Sequence, residues 1–197
     1  MAPLAYTDDG AKYAFYVLMG MFAASEWSIR FRSRMRHGGT RQDRGSLYVI
    51  LVSCLLGVGA AFALAGSVHA TAITDARWPI FVVGLVLMLL GIMLRQWSVF
   101  ALGSFFTVQV QVREGQTVVD TGPYRYVRHP SYTAIMLTFF GMGVALENWL
   151  SLLALIVIPT IGLVVRIRVE ERALLAALGE PYREFSQSRA RLIPKVW

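Results

Sequence analysis

The chain has 197 residues, 56% hydrophobic and only 16% charged, with a formal net charge of +7 and a mean hydropathy of +0.53. That balance excludes an ordinary soluble domain, in which roughly a quarter of residues are charged, and indicates one integral membrane domain. The lone cysteine, Cys54, lies inside an apolar run, which excludes an intramolecular disulfide.

The first ten residues are polar and carry Asp8 and Asp9. They lack the basic start and small-residue cleavage site of a signal peptide, so the first apolar segment is expected to be retained. Five apolar segments follow, at about 13–29, 47–68, 78–94, 131–146 and 150–165. Each is near the ~20 residues that cross the hydrocarbon of a bilayer. The third keeps its apolar character toward Leu102, and only Glu147, Asn148 and Trp149 separate the last two, which reads as a tight helical hairpin. The fold class expected is all-α integral membrane, with about five transmembrane helices in a single domain.

Charge sets the orientation. The loop from Arg30 to Arg44 holds six arginines, the segment from Arg95 to Arg128 four, and the stretch from Arg166 onward six plus Lys195. These are 17 of the 19 Lys and Arg residues, leaving Lys12 and Arg77 on the other side. Basic loops stay in the cytosol, so the N-terminus is expected outside and the C-terminus inside, in the inner (plasma) membrane for a bacterial cell. The same arginines flank apolar runs, where they meet anionic head groups of membrane lipids. No basic stripe with interleaved aromatics occurs, which argues against nucleic acid as a partner.

Between the third and fourth segments, Phe105 to Val112 alternates apolar and polar side chains. That pattern is strand-like or extended, and Arg113-Glu114-Gly115-Gln116 reads as a turn. After Val165 helical spacing persists through Glu170, Glu171, Leu174, Leu175 and Leu178 to Gly179, a C-cap. Pro181 then suits the first turn of a short amphipathic helix, with Phe185 and Leu192 placed to fold back on the core.

The chemistry-bearing residues gather at two of these junctions. Arg166 and Glu170 are four apart and share a helical face. On a soluble helix that is a weak surface ion pair; where a span emerges, such charges face a cavity or a partner. Glu171 points about 100° away, toward solvent or Arg168. His129 precedes Pro130, a pair that starts the next helix; a lone histidine there is more often structural than catalytic. Tyr124, Tyr126 and Tyr132 fit an interfacial aromatic belt. Glu26, near the end of the first span, either snorkels outward or pairs with a neighbouring arginine. No His, Cys or Asp/Glu spacing matches a zinc site, so no metal is expected.

Taken together, Gly122-x-Tyr124, Arg128-His129-Pro130-Ser131-Tyr132, Arg166-x-x-x-Glu170-Glu171-x-x-Leu174, Leu178-Gly179-Glu180-x-Tyr182 and Ile193-Pro194 resemble the C-terminal half of the isoprenylcysteine carboxyl methyltransferases. The wider group includes membrane phospholipid N-methyltransferases. The resemblance covers about residues 109–194; the first half matches only as apolar spans. It departs at Ala134, where the family often has glycine, and in a shorter carboxylate run bounded by Val169 and Arg172.

The resemblance implies a membrane enzyme that transfers methyl from S-adenosyl-L-methionine, leaving S-adenosyl-L-homocysteine, with the cofactor held at the cytosolic face under the C-terminal tail. Residues 103–130 and 166–197 would be the cofactor-binding elements. By position, cofactor contacts would come from Gln109, Gln116, Thr117, Val118, Val119, Tyr124, His129, Pro130, Ser131, Tyr132 and Glu170, and Arg166 would hold the acceptor. The acceptor implied is lipophilic, entering from the bilayer, and carries a carboxylate such as an isoprenylcysteine-like α-carboxyl. Three readings stay open beside it: an N-methyltransferase acting on a lipid amine, a non-enzymatic transporter or scaffold, and a nicotinamide-dependent membrane reductase. A transporter would carry polar groups in the middle of several spans, and here these reduce to Ser53 and Thr138.

Overall fold

The computed structural model describes residues 1–35, 40–41, 45–108, 111–112, 115–194 and 197. Seven α-helices and one two-stranded pair are described: α1 (Leu4–Thr7), α2 (Asp9–Met35), β1 (Thr40–Arg41), α3 (Ser46–Ser67), α4 (Arg77–Leu102), β2 (Gln111–Val112), α5 (Pro130–Ala145), α6 (Trp149–Leu178) and α7 (Glu180–Ser188). The expected all-helical class holds, and the expected alternation around Phe105–Val112 narrows to β2. This strand pairs antiparallel with β1, while Gly103–Phe105 forms a 3-10 turn.

Among the described residues three helices, α3, α4 and α6, are long and apolar enough to cross a bilayer. The five expected crossings are therefore not equivalent. α2 has 27 residues, but Ser25, Glu26, Ser28 and its tyrosines dilute its apolar character. α5 is apolar but has 16 residues, short of the hydrocarbon thickness. Two boundaries move outward: α4 begins at Arg77 and runs to Leu102, and α6 runs unbroken from Trp149 to Leu178. Leu178 is where the cytosolic extension of the fifth segment was expected to stop.

Helices α4 and α5 pack along their lengths, as do α3 and α6, and α5 leans on α6. In lipid, where neighbouring tails are as apolar as leucine, close backbone approach is the main source of helix association. Gly84 provides it between α4 and α5: a Cβ there would lie 2.5 Å from Ala145 N. Gly57 provides it between α3 and α6, where a Cβ would lie 2.9 Å from Cγ of Pro159, the proline inside α6. The core gathers Phe15, Phe81, Met88, Met142, Leu146 and Leu155. α2 packs on α4.

The two ends of the bundle are tied differently. At one end, Asn148 caps α6 by accepting from Ser151 N at 3.1 Å and donates to Val68 O at 2.9 Å. Beside it, Glu147 accepts from Leu4 N at 2.8 Å and from Arg77 Nη2 at 2.8 Å. At the other end the C-terminal segment lies alongside the start of α5. Arg128 N donates to Ala190 O at 2.8 Å, His129 N to Arg191 O at 3.0 Å, and Thr133 Oγ1 to Leu192 O at 2.7 Å. Leu192 is buried by this, as its expected return to the core requires.

Candidate functional site

Three local features assemble the site. Pro130 occupies the first turn of α5, where its fixed φ suits the helix and its missing N–H is no loss. His129 ahead of it is non-helical, with φ −125°. This turn places the His129 and Tyr132 rings in a stack, 5.6 Å between centroids. α6 continues past its apolar stretch, so Arg166 and Glu170 emerge one turn apart on one face.

These residues border a cavity of about 460 Å³ with two unlike ends. The polar end is walled by residues 116–119, Tyr124, His129, Tyr132, Arg166 and Glu170, with Tyr182 and Phe185 of α7 beside them. The apolar end runs between α2 and α3, past Met19, Phe22, Ile50, Cys54 and Val58, onto Phe139 and Met142 of α5. It reaches the outer surface of the bundle, because Leu55 lines it and is 72% exposed.

A continuous hydrogen-bond network stands at the polar end. Tyr132 Oη donates to Glu170 Oε2 at 2.6 Å and accepts from Arg166 Nε at 3.2 Å. The Arg166 fork also donates to Ser46 Oγ at 2.8 Å and to Val108 O at 2.5 Å. One buried guanidinium thus joins α6 to α5, α3 and the connector. Burial, with the Glu170 charge adding to it, pushes the Tyr124 phenol well above its usual range. Burial first, then Glu171 and Glu170, does the same for Tyr182. Both hydroxyls therefore stay protonated donors at any physiological pH.

Ten of the residues singled out from sequence line this one cavity: Gln116, Thr117, Val118, Val119, Tyr124, His129, Ser131, Tyr132, Arg166 and Glu170. Pro130 is buried at the start of α5 but does not line it; its part is to begin the helix. Gln109 lies outside the described residues. The expectation for Glu171 is corrected. It stays partly exposed, but among the described residues it pairs not with Arg168 but with Arg128 Nη1 at 2.7 Å, Arg191 Nε at 3.1 Å and His129 Nε2 at 3.2 Å. The reason is tertiary, since the C-terminal segment and the start of α5 both pack on that face of α6. Among the described residues no group of three or more His, Cys, Asp or Glu is placed to hold a metal.

Sequence reasoning treated Arg95 as one more loop-flanking cation. It is buried inside α4 and lines the cavity. Its fork grips Glu26 of α2 through Nε to Oε1 at 2.8 Å and Nη2 to Oε2 at 3.2 Å, and Nη1 donates to Ser131 Oγ. Glu26 thus pairs with an arginine, one of the two outcomes expected for it. The available signal was a charge embedded in an apolar run that continues to Leu102.

Residues 82–176 match the profile of the isoprenylcysteine carboxyl methyltransferase (ICMT) family. Protein-S-isoprenylcysteine O-methyltransferase B of Arabidopsis thaliana is 32% identical over 122 residues, which is 61% of this chain and 62% of that protein. Protein-S-isoprenylcysteine O-methyltransferase of Schizosaccharomyces pombe is 25% identical over 202 residues, 92% of this chain and 83% of that protein. A solved structure of the eukaryotic intramembrane Ras methyltransferase ICMT superposes with a TM-score of 0.61 at 26% identity, covering 74% of this chain and 52% of that one. The chain therefore spans about six tenths of the Arabidopsis relative and about half of the solved structure. The family match runs from α4 into α6 and includes every named wall of the polar end except α7.

Proposed function

The chain belongs over residues 82–176 to the isoprenylcysteine carboxyl methyltransferase family, and from that premise we propose that it is a membrane methyltransferase dependent on S-adenosyl-L-methionine. Its acceptor is lipophilic and presents a carboxylate, as an isoprenylcysteine-like α-carboxyl does. The observation that carries this reading is the joining, in one cavity, of a polar end rich in phenols and charges to an apolar end open on the lipid side between α2 and α3.

The residues fit the cofactor. Glu170 uses Oε2 for Tyr132, and the rest of its carboxylate suits an ammonium or a ribose hydroxyl. Residues 116–119 lie in a connector outside any helix or strand, a backbone suited to an adenosyl group. The cavity is in the usual size range of small-molecule sites, roughly 300–1,000 Å³. When bound, S-adenosyl-L-methionine supplies an already activated methyl on a positive sulfur. What remains for the protein is to align the two partners and exclude water. Tyr182 and Phe185 of α7 cover the polar end against solvent. Arg166 holds the acceptor carboxylate through its planar fork, exchanging for it the contact now made with the Val108 carbonyl. An ionised carboxylate needs no base, which suits a site whose phenols stay protonated. With 17 of 19 Lys and Arg on one side, the polar end faces the cytosol.

The test is binding by the purified full chain in detergent or nanodiscs. S-adenosylmethionine and S-adenosylhomocysteine should raise its melting temperature and NADPH should not. Stabilisation by NADPH alone, or by none of the three, would remove the assignment. Radiolabelled methyl transfer into lipid and protein extracts then identifies the acceptor.

One observation favours a second acceptor class. His129 lines the cavity with Nε2 3.2 Å from Glu171, an arrangement able to take a proton from an ammonium. A phospholipid or small-amine N-methyltransferase would need that step. A pH–rate profile that is flat from about pH 7 to 9 selects the carboxylate; a rising limb there selects the amine.

A further inference from the structure

Behind the Glu171 junction lies a second cavity, of about 320 Å³, on the surface formed by α6, α7 and the C-terminal segment. Four arginines border it, Arg128, Arg168, Arg172 and Arg191, against a single carboxylate, Glu171. Glu171 is shared between Arg128 and Arg191. Arg168 and Arg172, on α6, have no hydrogen-bond or ion-pair partner among the described residues. A solvated basic face would leave every donor wet, and this one does not. Tyr182, 5% exposed and lining the cavity, has a buried hydroxyl without an acceptor, and Nε of Arg128 is buried and unpartnered as well. Buried donors without acceptors are rare because their desolvation is uncompensated.

The geometry points to a second ligand site here, built for the phosphate group of a phosphate ester. Guanidinium forks match the oxygens of phosphate, and several around one anion give charge-assisted bonds in more than one direction. The two unpaired arginines provide the net positive charge that Glu171 does not cancel. The orphaned phenol is a donor held ready, since burial keeps it protonated. The space exceeds what a bare phosphate fills, and exposed Leu175 gives the rim an apolar side, which suits an ester with a carbon substituent. Such a group comes from a soluble metabolite or from the head group of an anionic lipid in the same leaflet. Arg128 and Tyr182 line both cavities, whereas Arg168 and Arg172 line this one alone, so the inference is tested at those two and its readout contains no methyl donor.

The experiment uses the full chain in phosphatidylcholine nanodiscs. One arm titrates glycerol 1-phosphate against sodium chloride at matched ionic strength; the other compares nanodiscs doped with phosphatidylglycerol. Saturable thermal stabilisation is expected in at least one arm. The double variant Arg168→Gln/Arg172→Gln should weaken it by about tenfold or more, and Tyr182→Phe by about threefold. Arg168 and Arg172 make no hydrogen bond or ion pair among the described residues, so the double variant should melt with the wild type in plain phosphatidylcholine nanodiscs, before glycerol 1-phosphate or phosphatidylglycerol is added. A response to the soluble ester identifies a metabolite site, and a response to the doped bilayer alone identifies a lipid head-group site. No response in either arm, or one that the double variant keeps in full, overturns the proposal.

Discussion

Both ends of the helix bundle pair an arginine with a glutamate, yet the main cavity borders only one of the two. At the α5–α6 turn, Glu147 is 2% exposed. It accepts from Leu4 N and from two nitrogens of Arg77, while Arg77 also donates to Ala2 O at 2.7 Å. Neither residue lines the main cavity. At the opposite end Arg166, Tyr132 and Glu170 form an equally polar chain, but it borders a void that continues into the apolar zone between α2 and α3. Residue type alone does not separate the two networks. What separates them is hydrogen-bonding capacity facing space that another molecule can fill. The first network is a clasp; the second is a wall.

The contrast is open to test at each network. The largest effect should come from the clasp. Glu147→Ala leaves the Arg77 guanidinium without its carboxylate and should cost about 3–5 kcal/mol of stability. Turnover per folded molecule should not change; a lost reaction with unaltered melting would merge the two ends. The Arg95–Glu26 pair sharpens the distinction because its arginine is buried and both residues are on the cavity wall. Glu26→Ala should lower stability by about 2–3 kcal/mol, somewhat less because Glu26 is partly exposed, and should also reduce turnover. Glu170→Gln is the reverse of Glu147→Ala. Turnover should fall more than about tenfold while stability shifts by less than about 1 kcal/mol. Arg166→Ala should also reduce turnover more than about tenfold, and Arg166→Lys, which keeps the charge but not the fork, should not restore it. Smallest in its effect on turnover is Asn148→Ala, which removes the α6 cap and the bond to Val68 O together and should cost about 2 kcal/mol with kinetics intact.

The helices, their order and much of the polar end were legible from local pattern. Apolar runs of spanning length mark α3, α4 and α6. The His129–Pro130 pair marks the start of α5, and four-residue spacing puts Arg166 and Glu170 on one face. Each of these depends on neighbours within a turn or two of helix, which the order of residues specifies directly. The first apolar segment, expected over 13–29, lies inside a longer helix, Asp9–Met35, and the partner that Glu26 finds 69 positions away in Arg95 was out of view.

Pairings across the chain were decided only by packing. Glu171 turned out to join Arg128, His129 and Arg191 rather than Arg168, because which face of α6 is covered depends on where the C-terminal segment lies. The apolar half of the cavity is tertiary in the same sense. Met19, Phe22, Ile50 and Cys54 read as ordinary lipid-facing or core positions until α2 and α3 are set apart. In hydrocarbon every backbone donor must be satisfied within its own helix, so the order of residues determines the helices. The spaces between them depend on how closely side chains and glycines let backbones approach, and that is a property of the assembled bundle.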